Sequence, residues 1–145
     1  MNIEIEIEIC ESDEQISQCY PVMKQLRTNL TKTKFLSRVK RQQKAFNYTL
    51  IRLVDENRVV AVSGVRISES LCDGKYLYVD DFVTDGNLRS KGYGGRLFNW
   101  IVDYAKSKNC NEIGLESGVQ RFDAHRFYLG KRMKISSHHF CLPLK

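Results

Sequence analysis

Residues 89–95 read Arg-Ser-Lys-Gly-Tyr-Gly-Gly and stand directly before an amphipathic helical pattern. A run rich in β-branched and aromatic residues begins at Tyr76, so residues 76–106 read as strand, glycine-rich turn and helix. At such a turn backbone N–H groups lie unpaired at a helix N-terminus, and bare glycines let an anion approach the positive end of the helix dipole. The chemistry on offer is phosphate binding. Spacing excludes two nucleotide cradles. Counting from Gly92, the third position is Gly94 but the sixth is Leu97, so the dinucleotide fingerprint fails at its last glycine. No segment supplies the lysine and hydroxyl that a P-loop needs after its final glycine.

What remains is Arg89-x-x-Gly92-x-Gly94 between strand and helix. This resembles motif A of the GNAT superfamily of acyl-CoA-dependent N-acetyltransferases. The resemblance implies that the amides of Ser90, Lys91, Gly92, Tyr93, Gly94 and Gly95 hold the pyrophosphate of coenzyme A, with charge added by Arg89 and Lys91. It also implies that Phe82, Val83 and Thr84 lend main-chain groups to the pantetheine amides, in the manner of an added strand. Acetyl-CoA is the expected cosubstrate.

A second segment, Ala124-x-x-Phe127-Tyr128, is similar to motif B of the same family, with Ala124 and Tyr128 on one helix face. The resemblance gives Tyr128 the role of general acid toward the departing thiolate, a role that suits a neutral phenol in an apolar site. Two departures accompany it. Arg132 and Met133 stand where the family commonly has glycine and a hydrophobic residue, which implies a reshaped helix end. The asparagine that often opens motif B is absent from 118–121.

Transfer to an amine requires the free base, since an ammonium has no lone pair for the thioester. Asp80, nine residues before Arg89, matches the place of a glutamate in polyamine-acetylating members. Glu116, twelve residues before Tyr128, matches members that acetylate a protein N-terminal amine. On a regular strand Asp81 faces away from Asp80. Either acid also reads as a solvated strand residue. The alternative to an enzyme is a non-catalytic acyl-CoA-binding regulatory module, against which Tyr128 and the nearby acids argue.

The remaining candidates for chemistry are weaker. His138 and His139 are adjacent and cannot readily share an ion on a strand, and His125 stands apart, so no metal site is expected. The cysteines, Cys10, Cys19, Cys72, Cys110 and Cys141, form no C-x-x-C pair and read as reduced, mostly buried thiols. A net charge of +6 fits a nucleic-acid face or a groove for a small polyanion such as coenzyme A. Lys32, Lys34, Arg38, Lys40, Arg41 and Lys44 read as the solvated face of a helix, because no aromatic residues alternate with them as base stacking needs. The expected partner is a small-molecule amine or peptide acceptor, with no nucleic acid and no membrane; a homodimer is compatible. The acidic, alternating start and the lack of a long apolar run predict a soluble, cytoplasmic protein.

These residues need a scaffold, and 145 residues allow one domain, 1–145. Residues 3–10 alternate isoleucine and glutamate as an edge strand. Helical spacing follows, capped by Ser12 or Asp13 and broken or kinked at Pro21, and a second helix spans 33–45. Strands 48–54, 58–67 and 75–84 form a meander, followed by a helix that stops near Asn109. A strand at 112–117, a helix at 121–134 and an extended run through Phe140 and Leu142 complete the chain. The fold class is α/β (α+β), a mixed central sheet flanked by helices in the order β-αα-βββ-α-β-α-β, which matches the GNAT fold.

Overall fold

The computed structural model describes residues 5–145, which form two compact units divided between Gly114 and Leu115. The first contains β1 (Glu6–Ile9), α1 (Asp13–Gln18), α2 (Tyr20–Leu26), α3 (Lys32–Ala45), β2 (Tyr48–Asp55), β3 (Arg58–Ser70), β4 (Gly74–Thr84), α4 (Tyr93–Ser107) and all but the last residue of β5 (Glu112–Leu115). The second contains α5 (Phe122–Gly130). Of the expected first strand, 3–10, residues 3 and 4 lie outside the described residues. No helix among the described residues is long and apolar enough to cross a membrane.

Local chemistry accounts for the breaks between elements. The Ser12 side chain accepts from the Gln15 amide, and the Gln15 side chain reaches back to the cap, forming a capping box that starts α1. Pro21 occupies the first turn of α2, where its missing N–H costs nothing, so the anticipated kink is a full break and the expected pair of helices becomes three. Glu56 and Asn57 both have positive φ, 53° and 61°, as the tight turn between β2 and β3 requires. The basic residues of α3 are exposed, as its reading as a solvated face anticipates.

The sheet order is β1-β2-β3-β4-β5, and its first four strands pair antiparallel. The Asn111 amide donates to Lys75 O at 2.6 Å, and Gly114 lies beside the Tyr78 ring, so β5 runs parallel to the first half of β4. Beyond Tyr78, β4 continues to Thr84 past this contact. One sheet face packs Tyr48, Leu50, Val62 and Val83 against Ile16, Val22, Met23, Phe35 and Val39 of α1, α2 and α3. The other receives α4, whose Leu97, Phe98, Ile101 and Ala105 are buried. Cys10 and Cys19 are buried in the first core with their sulfurs 3.7 Å apart, whereas Cys72 and Cys141 are exposed, so burial holds for fewer thiols than expected.

Helix α4 ends as the sequence suggests, with Asn109 at φ 60° and the Cys110 amide donating to Ala105 O. In the second unit α5 stops at Gly130, earlier than expected, and closes with the same bond pattern. The Arg132 amide donates to Leu129 O and the Met133 amide to Tyr128 O, with Arg132 at φ 67°. The departure from glycine at 132 therefore leaves the turn intact. An arginine holds the left-handed conformation that glycine adopts without strain. Residues 133–145 form neither helix nor strand, so the expected final strand is missing.

Candidate active site

The acids of β4 lie at an irregularity. Gly64 of β3 pairs with Asp81 and Val65 pairs with Val79, which leaves Asp80 as an extra residue, a β-bulge. Both carboxylates consequently point to the face that carries α1, α2 and α3, contrary to the alternation of a regular strand. Arg66 grips Asp80 with two donors, Nε to Oδ2 at 2.6 Å and Nη2 to Oδ1 at 2.7 Å. Arg27, at the end of α2, donates from Nε to Asp81 Oδ1 and from Nη2 to the Asp80 carbonyl, each at 2.8 Å. The buried Tyr48 hydroxyl donates to Asp81 Oδ2 at 2.7 Å. Burial first, and then the Asp81 charge, push the Tyr48 phenol well above its ordinary pKa. Its ring lies over Gly64, where any Cβ would meet the phenol oxygen at 1.8 Å. Sequence reasoning missed Arg27, Tyr48, Gly64 and Arg66, and the only signal was an Asp-Asp pair inside an apolar strand.

The next three residues carry the strand toward the loop. Phe82 stacks edge-on against Phe98 of α4, with centroids 6.3 Å apart, while Val83 is buried in the opposite core and Thr84 pairs with Ala61. The loop that follows is pinned at its start. Asp85 accepts from the Asn87 amide at 3.1 Å, from Gln25 Nε2 at 3.2 Å and from Arg58 Nη2 at 3.5 Å. The Asn87 bond, with help from Gln25 and Arg58, holds the Asp85 carboxyl below the usual range. Gln25 Oε1 accepts the Gly86 amide at 2.8 Å. These anchors carried no sequence signal beyond the Asx turn implied by Asp85.

Arg89 is extended, Ser90 turns to φ 69°, and Gly92 caps α4 at φ 81°. No side chain caps this helix start, and a Cβ on Gly92 would meet nothing within 4 Å. The Tyr93 hydroxyl donates to Asp55 Oδ2, tying the first turn of α4 to the end of β2; that bond raises the Tyr93 pKa. Gly94 and Gly95 complete the turn without bulk. This is an open, uncapped helix N-terminus with Arg89 and Lys91 beside it. Its form fits a phosphate group.

Unit 1 thus gathers Asp80, Phe82, Val83 and Thr84 on one strand and Arg89 to Gly95 on the following loop and helix start. Unit 2 carries Glu116 and Tyr128. Tyr128 sits on α5 beside Phe127, with ring centroids 5.5 Å apart at 74°. Burial raises its phenol pKa, and Arg121 partly offsets the shift. Glu116 lies 3.1 Å from His139 Nδ1, with both side chains about half exposed. His125 Nε2 bonds the Gly118 carbonyl at 2.8 Å, fastening the loop from which the motif B asparagine is absent.

The sheet order and the uncapped glycine start on the helix after β4 are those that the resemblance to the GNAT superfamily implies. The model of the acetyltransferase (GNAT) family matches residues 14–132, and the chain belongs to that family. It is 35% identical over 134 residues to the uncharacterized N-acetyltransferase YhdJ of Bacillus subtilis (strain 168), covering 92% of this chain and 94% of that protein. Among solved structures, a GNAT family acetyltransferase of Staphylococcus aureus subsp. aureus USA300_TCH1516 shares the fold at a TM-score of 0.82 with 22% identity, covering 97% of this chain and 98% of that one. The aminoglycoside N-acetyltransferase AAC(6')-Iy, solved in complex with CoA, superposes at 0.86 with 10% identity, covering 99% and 96%.

Proposed function

We propose that the chain, acting as one catalytic domain over residues 1–145, transfers an acetyl group from acetyl-CoA to a primary amine by direct attack in a ternary complex. The observation that carries the reading is the start of α4: Gly92 at φ 81° with open space around it and no capping side chain. Acetyl-CoA supplies the activated acyl carbon. Residues 90–95 hold its pyrophosphate through main-chain N–H groups, assisted by Arg89 and Lys91, and residues 82–84 align the pantetheine arm.

Asp80 or Glu116 takes a proton from the acceptor ammonium, directly or through water. Asp80 accepts from Arg66 with both oxygens, so in this role the proton passes at the edge of an ion pair. Tyr128 gives its hydroxyl proton to the departing sulfur. The raised phenol pKa keeps that proton in place at neutral pH. The acceptor is a small amine or a peptide.

Titration calorimetry with acetyl-CoA tests the binding half: the wild-type chain binds, and Gly92→Glu loses binding through strain at positive φ and added negative charge. No binding by the wild-type chain at about millimolar ligand would sink the reading, because that is the weak end of specific affinity. Tyr128→Phe should then lower kcat by about 10²- to 10⁴-fold with binding unchanged.

A further inference from the structure

Four charged side chains meet where β4 bulges, and their exposure is lopsided. The carboxylates are sunk, with the Asp80 and Asp81 side chains 21% and 14% exposed. Both oxygens of Asp80 accept from Arg66, and those of Asp81 accept from Arg27 and Tyr48. The arginine side chains stand out, at 44% for Arg66 and 47% for Arg27. An arginine has five N–H donors, and each of these two spends two of them, Arg66 on the Asp80 carboxylate and Arg27 on Asp81 and the Asp80 carbonyl. The acids are thus consumed, while both guanidiniums keep donors for a ligand. Because both arginines bond the same residue, one small anion can reach the pair.

The surroundings carry charge of the same sign. From Gln15 to Val54, through α2 and α3, the chain has nine lysines and arginines and no acid. Lys24, exposed, stands one turn before Arg27 on α2. A field of one sign raises the local concentration of an oppositely charged ligand. The Arg66 fork is also set in advance: Asp80 holds it, and its Cζ lies 6.0 Å from the centre of the Tyr78 ring. A guanidinium already fixed in this way loses little freedom when an anion docks. Asp80 precedes Phe82 by two residues, roughly 6–7 Å along the strand, so the arginines flank the end of the segment assigned above to the pantetheine arm.

We propose that Arg27 and Arg66 select the acceptor, a small primary amine that carries a carboxylate or phosphate a few bonds from its nitrogen. This selection presupposes the acetyl transfer proposed above. The anion takes the unused N–H groups and leaves the nitrogen beside Asp80, whereas a polyamine, positive throughout, is repelled. The test compares acceptors that differ only in the anion: glycine, β-alanine and γ-aminobutyrate, each against its amide, and O-phosphoethanolamine against ethanolamine. Thiol release from acetyl-CoA is followed, with rates taken per unprotonated amine. In at least one pair the anionic member should lead by about 10- to 100-fold in kcat/KM, as hydrogen bonds to a charged group allow. The carboxylate and phosphate arms tell which anion is read. Arg27→Gln and Arg66→Gln should each lower that ratio about tenfold, whereas general damage to the site slows both members alike and keeps the ratio. A second readout needs no acetyl-CoA. Thermal melting of the chain alone, at constant ionic strength and about 10 mM compound, should shift upward for the preferred anionic member and not for its neutral partner. Neutral members that match the anionic ones, a preference that survives both substitutions, or a panel giving neither turnover nor stabilisation would each overturn the proposal. A chain stabilised by the anionic member through Arg27, yet unable to bind acetyl-CoA, would refute the transfer and leave the anion site standing.

Discussion

Gly64→Ala places a Cβ 1.8 Å from the Tyr48 hydroxyl oxygen and 2.3 Å and 2.4 Å from two ring carbons. Real Cβ atoms do not approach so closely, and the obstacle is a buried ring held between β2 and β3, so the ring must leave its place. Its departure breaks the 2.7 Å bond to Asp81. A hydrogen bond to a charged acceptor contributes about 1.5–3 kcal/mol, and forcing one methyl into a packed site costs about 1–3 kcal/mol. The expected loss is therefore about 2.5–6 kcal/mol, on the order of 10 °C in Tm for a chain of this size. Urea unfolding of the wild type, Gly64→Ala, Tyr48→Ala and the double variant measures it. Because Tyr48→Ala removes the obstructing ring, Gly64→Ala should cost less than about 1 kcal/mol in that background. A Gly64→Ala protein as stable as the wild type, or an equal cost in both backgrounds, would refute the assignment of Gly64 to Tyr48.

Arg132→Gly should stabilise the protein by about 0.5–1 kcal/mol, since it relieves a left-handed arginine and returns part of the gain as unfolded-chain entropy; thermal melting reads this as a rise of about 2 °C. Asp85→Asn should destabilise at neutral pH. The folded-state pKa of Asp85 is depressed, so its contribution is fully present above the unfolded value of about 4 and fades as pH falls through the folded value. Urea midpoints of the wild type and Asp85→Asn should accordingly converge on acidification below about pH 4. Asp80→Asn and Glu116→Gln should separate the two candidate bases: whichever carries the proton loses about 10²- to 10⁴-fold in kcat/KM at neutral pH, and the other stays near wild type.

The start of α4 was legible because glycine at 92, 94 and 95 states a backbone need that survives any tertiary context. The break at Pro21 and the stop at Asn109 follow from single residues with strong local preferences. The bulge was not legible. Asp80 and Asp81 fit a regular alternation equally well, and only the packing of Phe82 under α4 and Val83 under the other helices decides where the extra residue falls. Arg132 hid for the opposite reason: its type argues against the conformation it adopts, which the helix end and Met133 impose. The final strand was read as an extended run through Phe140 and Leu142, which stays without secondary structure. For the site, types and spacing named the phosphate loop, while Arg27, Arg66 and Tyr48, distant in sequence from Asp80 and Asp81, became visible only once the sheet was assembled.

The bulge at Asp80 also acts as a phase shift. Before it, Tyr78 and Asp80 lie with Arg66 on one face; after it, Asp81 and Val83 keep that face while Phe82 takes the other. A β4 of the same sequence without the bulge would drive the Asp81 carboxylate beneath α4 and turn Phe82 toward the arginines. The acidic doublet can exist in this strand because one residue is skipped, and an insertion or deletion anywhere from 78 to 81 would exchange the two faces of everything that leads into the glycine loop.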